Sequence, residues 1–233
     1  MSDTNLDTTD VESVVEADDI KVGAKSNKAY IFFKRLFDTV SSACALVLLS
    51  WLLIIVAVVV KLTSKGPVLY KDHRIGVNGK DLYILKFRTM FIDAEEHIHD
   101  YLTDEQYMEW LTERKVENDP RITPVGRFLR RTSIDELPQL VNILKGDMSV
   151  VGPRPLTKSE IEENFTLSEQ RKLLSAKPGL TGNWGAYGRS SVTFESGERQ
   201  RMELEYVDKQ CAALDLKLII ASVFSVLKGK GAQ

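Results

Sequence analysis

VSSACALVLLSWLLIIVAVVV, Val40 to Val60, is a run of 21 residues without a charge. About 20 apolar residues are what a helix needs to cross a bilayer. Lys34 and Arg35 precede the run, while Lys61, Lys65 and Lys71 follow it, so both flanks are basic. Lysine and arginine collect on the cytoplasmic side of membrane helices. Cations at both ends therefore favour one hydrophobic helix that re-enters or lies at the interface, its ends on the same face; a spanning helix is the alternative. A soluble core helix is disfavoured by the length and by the β-branched content.

Working outward, residues 1–27 carry seven acids against two lysines, a local charge of −5 in a chain whose formal charge is −2. The remainder is mildly basic and suits anionic lipids or phosphates, whereas the leader reads as a disordered acidic tail. With 233 residues and 43% hydrophobic content, one compact domain beside an anchor is expected. The division is 1–27 tail, 28–65 anchor and 66–233 cytoplasmic catalytic domain. Two cysteines, Cys44 and Cys211, and three histidines give no disulfide framework and no zinc pattern. No cleaved secretory signal is expected, and nucleic acid is not an expected partner.

Beyond Gly66-Pro67, Val68–Tyr70 and Leu82–Arg88 read as strands joined through Gly76 and Asn78-Gly79. Residues 94–115 read as acid-rich surface helices in which Thr103-Asp104 ends one and caps the next. Residues 134–145 and 159–176 suit short helices. Near the C-terminus Leu216, Ile219, Ile220 and Val223 follow helical spacing, as in an interfacial amphipathic helix or in ordinary core packing. The fold class is α/β (α+β), membrane-associated, with short strands and interfacial helices.

The chemistry gathers in RFLRRTSIDELP, Arg127 to Pro138, where Arg127, Arg130 and Arg131 precede the carboxylates Asp135 and Glu136. Ser133 and Glu136 have capping-box spacing, yet Pro138 would then fall where a helical N–H is needed. A helix starting near Asp135 fits better. An Asp there is stabilised as the anion, and the same free N–H groups receive phosphate. Glu136 offers the hard oxygen that Mg2+ prefers when it also holds substrate phosphates. Lys86 and Arg88, two apart on a strand, point to one face and can grip a diphosphate. Gly152-Pro153-Arg154-Pro155 is a rigid loop aiming one arginine. Pro178–Gly182, then Gly185, Gly188 and Arg189, form a glycine-rich segment that matches neither a dinucleotide fingerprint nor a P-loop.

Phe33–Asp38, Leu85–Met90, Asp119-Pro120-Arg121, Asp135–Leu140, Lys145–Ser149 and Gly152–Pro155 follow one another in an order that resembles the bacterial sugar transferase family. These are monotopic polyprenol-phosphate phosphoglycosyl transferases, here in the small form, and the resemblance covers residues 28–230. It implies that Asp135 attacks the β-phosphate of a UDP-sugar and releases UMP. The phosphosugar-enzyme intermediate is then resolved by a polyprenol (undecaprenyl) phosphate at the cytoplasmic face of the bacterial inner membrane, the first membrane step of exopolysaccharide, capsule or other glycoconjugate assembly. Glu136, with Asp135, would position Mg2+; Lys86, Arg130 and Arg154, and less directly Arg88 and Arg189, would bind phosphate groups. Asp215 matches a family acid without an assigned role, and a homodimer is an alternative to the single chain.

Two departures stand out. Ser50-Trp51 replaces the Ser-Pro pair at which the family's anchor often breaks, although Ser50 can bend a helix by bonding back to a carbonyl. Asn183–Tyr187 lacks the Gln usual before Gly-Arg. Two rival readings remain: an anchored binding or scaffold protein whose arginines recognise lipid headgroups, and a nucleotide-sugar hydrolase that passes the intermediate to water.

Overall fold

The hydrophobic run folds as two helices, α1 (Lys28–Leu48) and α2 (Ser50–Thr63), bent by 63°. This computed structural model describes residues 28–94, 96–113, 116, 118–188 and 192–227; the acidic segment 1–27 and Arg189 lie outside the described residues. Ser50 Oγ donates to the Val47 carbonyl at 2.8 Å, the back-bonding that bends helices. The single hydrophobic helix expected from sequence is thus a bent pair, and no single described helix is long and apolar enough to cross a bilayer. The bend presents Val47, Leu48, Trp51 and Ile54 outward. The two arms bury Asp38 and Ser42 on α1 and Val56 and Val60 on α2.

Polar residues on α1 tie it to three other elements. Arg35 donates to the carbonyls of Ile143 (2.7 Å) and Leu144 (2.9 Å) at the C-terminal end of α6 (Gln139–Lys145), where a cation is favoured. Asp38, only 3% exposed, accepts from Ser149 Oγ (2.8 Å) and Val150 N–H (3.0 Å) on β3 (Ser149–Val151). Asp215 on α10 (Ala212–Leu227) accepts from Tyr30 (2.9 Å), Lys34 (2.7 Å) and Tyr206 (2.8 Å). Asp215, unassigned by resemblance, therefore joins the first described helix to the last. Lys34 and Arg35, read from sequence as topology signals, are also internal ties.

β1 (Leu69–Ile75) and β2 (Asp81–Phe87) form an antiparallel hairpin in the register Leu69↔Phe87 to Ile75↔Asp81. The turn places Asn78 and Gly79 at positive φ, as their residue types favour. β1 runs five residues past Tyr70 because Asp72 and Arg74 pair with each other, so their charge concealed a strand. α3 (Ile98–Tyr101), α4 (Asp104–Glu113) and α5 (Pro124–Thr132) follow, and Thr103 exchanges capping bonds with Gln106 as the sequence suggested. After β3 come α7 (Lys158–Asn164) and α8 (Leu167–Leu173), β4 (Gly179–Thr181) parallel to β3, and α9 (Glu198–Lys209). The helix expected over 159–176 splits because Thr166 opens a second capping box after the one at Thr157.

Leu82, Ile84, Ile143 and Met148 pack β2 on α6, with Ala45 and Leu46 of α1 against them. Val56, Val60, Phe87 and Leu129 pack α2 on β2 and α5. Both arms of the bent pair thus return to one mixed α/β body. On α10, Leu218 is buried while Leu216, Ile220, Val223 and Phe224 face outward.

Asp38→Ala would strand two buried donors, each worth about 1–3 kcal/mol when unsatisfied. We expect a loss of about 3 kcal/mol, seen as a clear fall in the thermal midpoint of the purified chain; an unchanged midpoint would refute the clamp.

Candidate active site

Lys86, next to last in strand β2, lies on the face that also carries Ile84, and Asp72 and Arg74 lie on that face of β1. Asp72 accepts from Lys86 (2.8 Å) and from both Nε and Nη2 of Arg74 (3.0 and 2.9 Å). Burial pushes the Asp72 carboxyl up, but Lys86 and Arg74 outweigh it and hold the group below its ordinary range. Arg74 also pairs with Glu160 at 3.1 Å. These cations stand at one side of a small open cleft, which Glu136, Gln139 and Arg154 also line.

Arg154 reaches the cleft on a loop that crosses the 177–181 segment closely. A Cβ at Gly152 would fall 2.2 Å from the Lys177 carbonyl, and one at Gly179 would fall 2.0 Å from the Gly152 nitrogen, so neither position tolerates a side chain. Glu203, fully buried on α9, accepts from the Arg154 backbone N–H at 3.0 Å. Burial raises its carboxyl pKa. The Arg154 guanidinium lies 5.0 Å from the Trp184 ring, which Arg199 also covers at 4.4 Å.

Asp135 and Glu136 occupy one 3-10 turn, Ile134–Glu136, between α5 and α6. Ser133, at φ 56°, ends α5 in the left-handed conformation, so the capping box suggested by its spacing is not formed. α6 begins only at Gln139, after Pro138, so Asp135 does not stand at an α-helical N-terminus as the sequence implied. Its electrostatics differ accordingly. Burial, then the charge of Glu136, push its pKa up to about 6, and Lys86 and Arg130 pull it only partway back. Arg130, fixed by donation from Nε to Thr89 Oγ1 at 2.9 Å, is itself lowered by burial and raised by Asp135.

The structure therefore brings Asp135, Glu136, Lys86, Arg130 and Arg154 to one region. Arg88 is elsewhere: β2 ends at Phe87, strand alternation stops, and Arg88 donates to Ser64 at the exit of α2. Arg189 lies outside the described residues. Among the described residues no three His, Cys, Asp or Glu side chains converge on a metal-sized point. Two adjacent carboxylates nevertheless fit Mg2+, which favours one or two of them together with substrate phosphates over an all-protein cage. Sequence reading missed Asp72, Arg74, Glu160, Arg199 and Glu203. For Asp72 and Arg74 the available signal was alternation with Lys86 across the hairpin; the others meet only through tertiary packing.

Residues 29–229 match the family model described as bacterial sugar transferase. The chain belongs to that family. It is 39% identical over 200 residues to the exopolysaccharide production protein ExoY of Rhizobium meliloti, covering 85% of this chain and 87% of the relative. It is 39% identical over 203 residues to the undecaprenyl-phosphate galactose phosphotransferase of Salmonella typhimurium, spanning 86% of this chain and 42% of that protein. The UDP-glucose:undecaprenyl-phosphate glucose-1-phosphate transferase of Escherichia coli is 37% identical over 204 residues, 85% of this chain and 41% of that protein. This bacterial sugar transferase thus aligns along nearly the whole of the first relative and with under half of the other two.

A carboxyl whose folded pKa lies above its unfolded value makes the fold less stable as pH rises between the two, here from about 4 to about 6. Asp135→Asn in this sugar transferase should therefore raise stability at pH 7.5 by on the order of 2 kcal/mol and leave it unchanged near pH 4. Thermal midpoints at the two pH values check this, and equal shifts at both would overturn the assignment.

Proposed function

We propose that this sugar transferase moves a sugar 1-phosphate from a UDP-sugar to a polyprenol phosphate, such as undecaprenyl phosphate, through a covalent intermediate on Asp135. The observation that carries the reading is the Asp135 carboxyl, raised to about 6 beside Glu136 and within the field of Lys86 and Arg130, next to the cleft that Arg154 lines. Such a carboxyl is mostly ionised at pH 7 yet is a better nucleophile than an ordinary surface aspartate.

One Asp135 oxygen attacks the β-phosphorus of the donor, and the bond from that phosphorus to the bridging oxygen breaks. UMP leaves with the bonding pair. An oxygen of the polyprenol phosphate then attacks the same phosphorus, the acyl phosphate P–O bond breaks, and Asp135 returns to the carboxylate. Lys86, Arg130 and Arg154 would offset the charge on the transferred phosphoryl group, the electrostatic role expected of fixed cations in a partly desolvated site. Mg2+ held by Glu136 and Asp135 would bring two anions together by neutralising the donor phosphates. The names of the relatives support the donor and acceptor classes and an assignment to exopolysaccharide assembly.

The membrane reading rests on the bent pair. Its apex is apolar and exposed while both arms return to one body, which suits a re-entrant hairpin dipping into the cytoplasmic leaflet. The outward Leu216, Ile220, Val223 and Phe224 of α10 suit the same surface.

UMP release from a panel of UDP-sugars, with Mg2+ and with or without undecaprenyl phosphate, tests the reaction. Acceptor-stimulated turnover is expected, falling at least a thousandfold in Asp135→Asn. Release indifferent to the acceptor would favour hydrolysis, and retained turnover in the mutant would remove Asp135 from the nucleophile role. Because the carboxylate must be ionised, the rate should rise with pH through about 6 and level off above; a rate flat from pH 5 to 8 would contradict this.

A further inference from the structure

Arg88 leaves β2 beside the exit of α2 and is 7% exposed. Its Nη2 donates to the Ser64 carbonyl (2.8 Å) and to Ser64 Oγ (2.7 Å), a cation at the C-terminus of an α-helix, where the dipole favours it. That accounts for one nitrogen. Among the described residues, Nε and Nη1 are buried without a hydrogen-bond partner. Burial alone moves the pKa of this group, downward, and no acid among the described residues offsets it. Arg74 and Arg121 differ, being held by Asp72 with Glu160 and by Asp119. A buried guanidinium with neither counter-charge nor full hydrogen bonding is costly, and an incoming anion would complete it.

Gly66, at φ +114°, lies against Nη1: a Cβ there would stand 2.4 Å from Arg88 Nη1 and 2.7 Å from Ile92 Cδ1. Ile92 itself is largely exposed, as is Leu62 on the last turn of α2. Lys61 Nζ donates to the Gly66 carbonyl at 3.3 Å, and Lys65 is exposed beside it. Basic groups, unpaired buried donors and exposed apolar side chains thus meet where the hydrophobic pair rejoins the body. A free inorganic anion would use only the charges; a phosphate carried on a hydrocarbon chain would use the apolar side chains as well.

We propose that Arg88 is the centre of a binding site for the phosphate of a lipid, at the exit of α2 and separate from the cleft at Asp135 and Glu136. The inference rests on the membrane-surface reading given above. Two lipids share this chemistry, a polyprenol phosphate and a bulk phospholipid.

The test uses thermal unfolding of the full chain in neutral detergent with saturating UDP to occupy the cleft. Undecaprenyl phosphate, phosphatidylglycerol and the phosphate-free undecaprenol are added in separate arms. A rise of about 3 °C or more, as mass action gives for a ligand well above its dissociation constant, is expected with a phosphate-bearing lipid and not with undecaprenol. A response to undecaprenyl phosphate alone identifies a polyprenol-phosphate site apart from the cleft, and a response to both identifies a general headgroup site. The shift should vanish in Arg88→Met, which removes an unpaired charge and is expected to fold. In Gly66→Ala the added Cβ would crowd Nη1, and the shift should shrink there too. No shift with either phosphate lipid, an equal shift with undecaprenol, or a full shift in Arg88→Met would overturn the proposal. UDP alone failing to move the midpoint would count against the transferase reading and leave the lipid arms to judge this one.

Discussion

Asp38 holds the architecture together. A carboxylate 3% exposed on the hydrophobic helix accepts from the hydroxyl and backbone of β3, and three residues earlier Arg35 closes the C-terminal end of α6. β3 leads directly into the loop that carries Arg154, and α6 follows directly from the turn that carries Asp135 and Glu136. The pose of the hydrophobic pair and the pose of the site therefore share one set of buried polar bonds. In a low-dielectric setting such bonds are costly to leave unmade, which makes the arrangement specific as well as stable.

The site itself is a contest between desolvation and fixed charge. Burial and the Glu136 charge win over Lys86 and Arg130 at Asp135, and the carboxyl ends near 6. At Asp72 the same kind of contest goes the other way, because Lys86 and Arg74 bond to that carboxylate directly. The two aspartates differ in their bonding as a result: Asp72 is bonded directly to Lys86 and Arg74, whereas Asp135 has no such side-chain bond among the described residues. Asp72 also fixes the Lys86 ammonium in the unliganded protein, the preorganisation that the proposed mechanism would draw on.

Much of this was legible in the chain. The uncharged run, the glycine and proline loops, the Thr103 cap and the clustering of arginines around Asp135-Glu136 are local features, and local features survive folding. The bend at Leu49 was legible through Ser50, whose hydroxyl bonds back to Val47. The Ser133 box misled, since the backbone turns left-handed there and the hydroxyl has no capping bond. Lys86 and Arg88 misled as a pair because the strand stops between them.

By itself the sequence determined the hydrophobic segment, the order of the motifs and, through them, the family, because each depends on residue type and spacing along the chain. Only the tertiary structure decided the protonation tendency of Asp135, the ties of Asp38 and Asp215, and the separation of Arg88 from the cleft. Each of those depends on what is packed against a charge, and burial and counter-charge are supplied by segments distant in sequence.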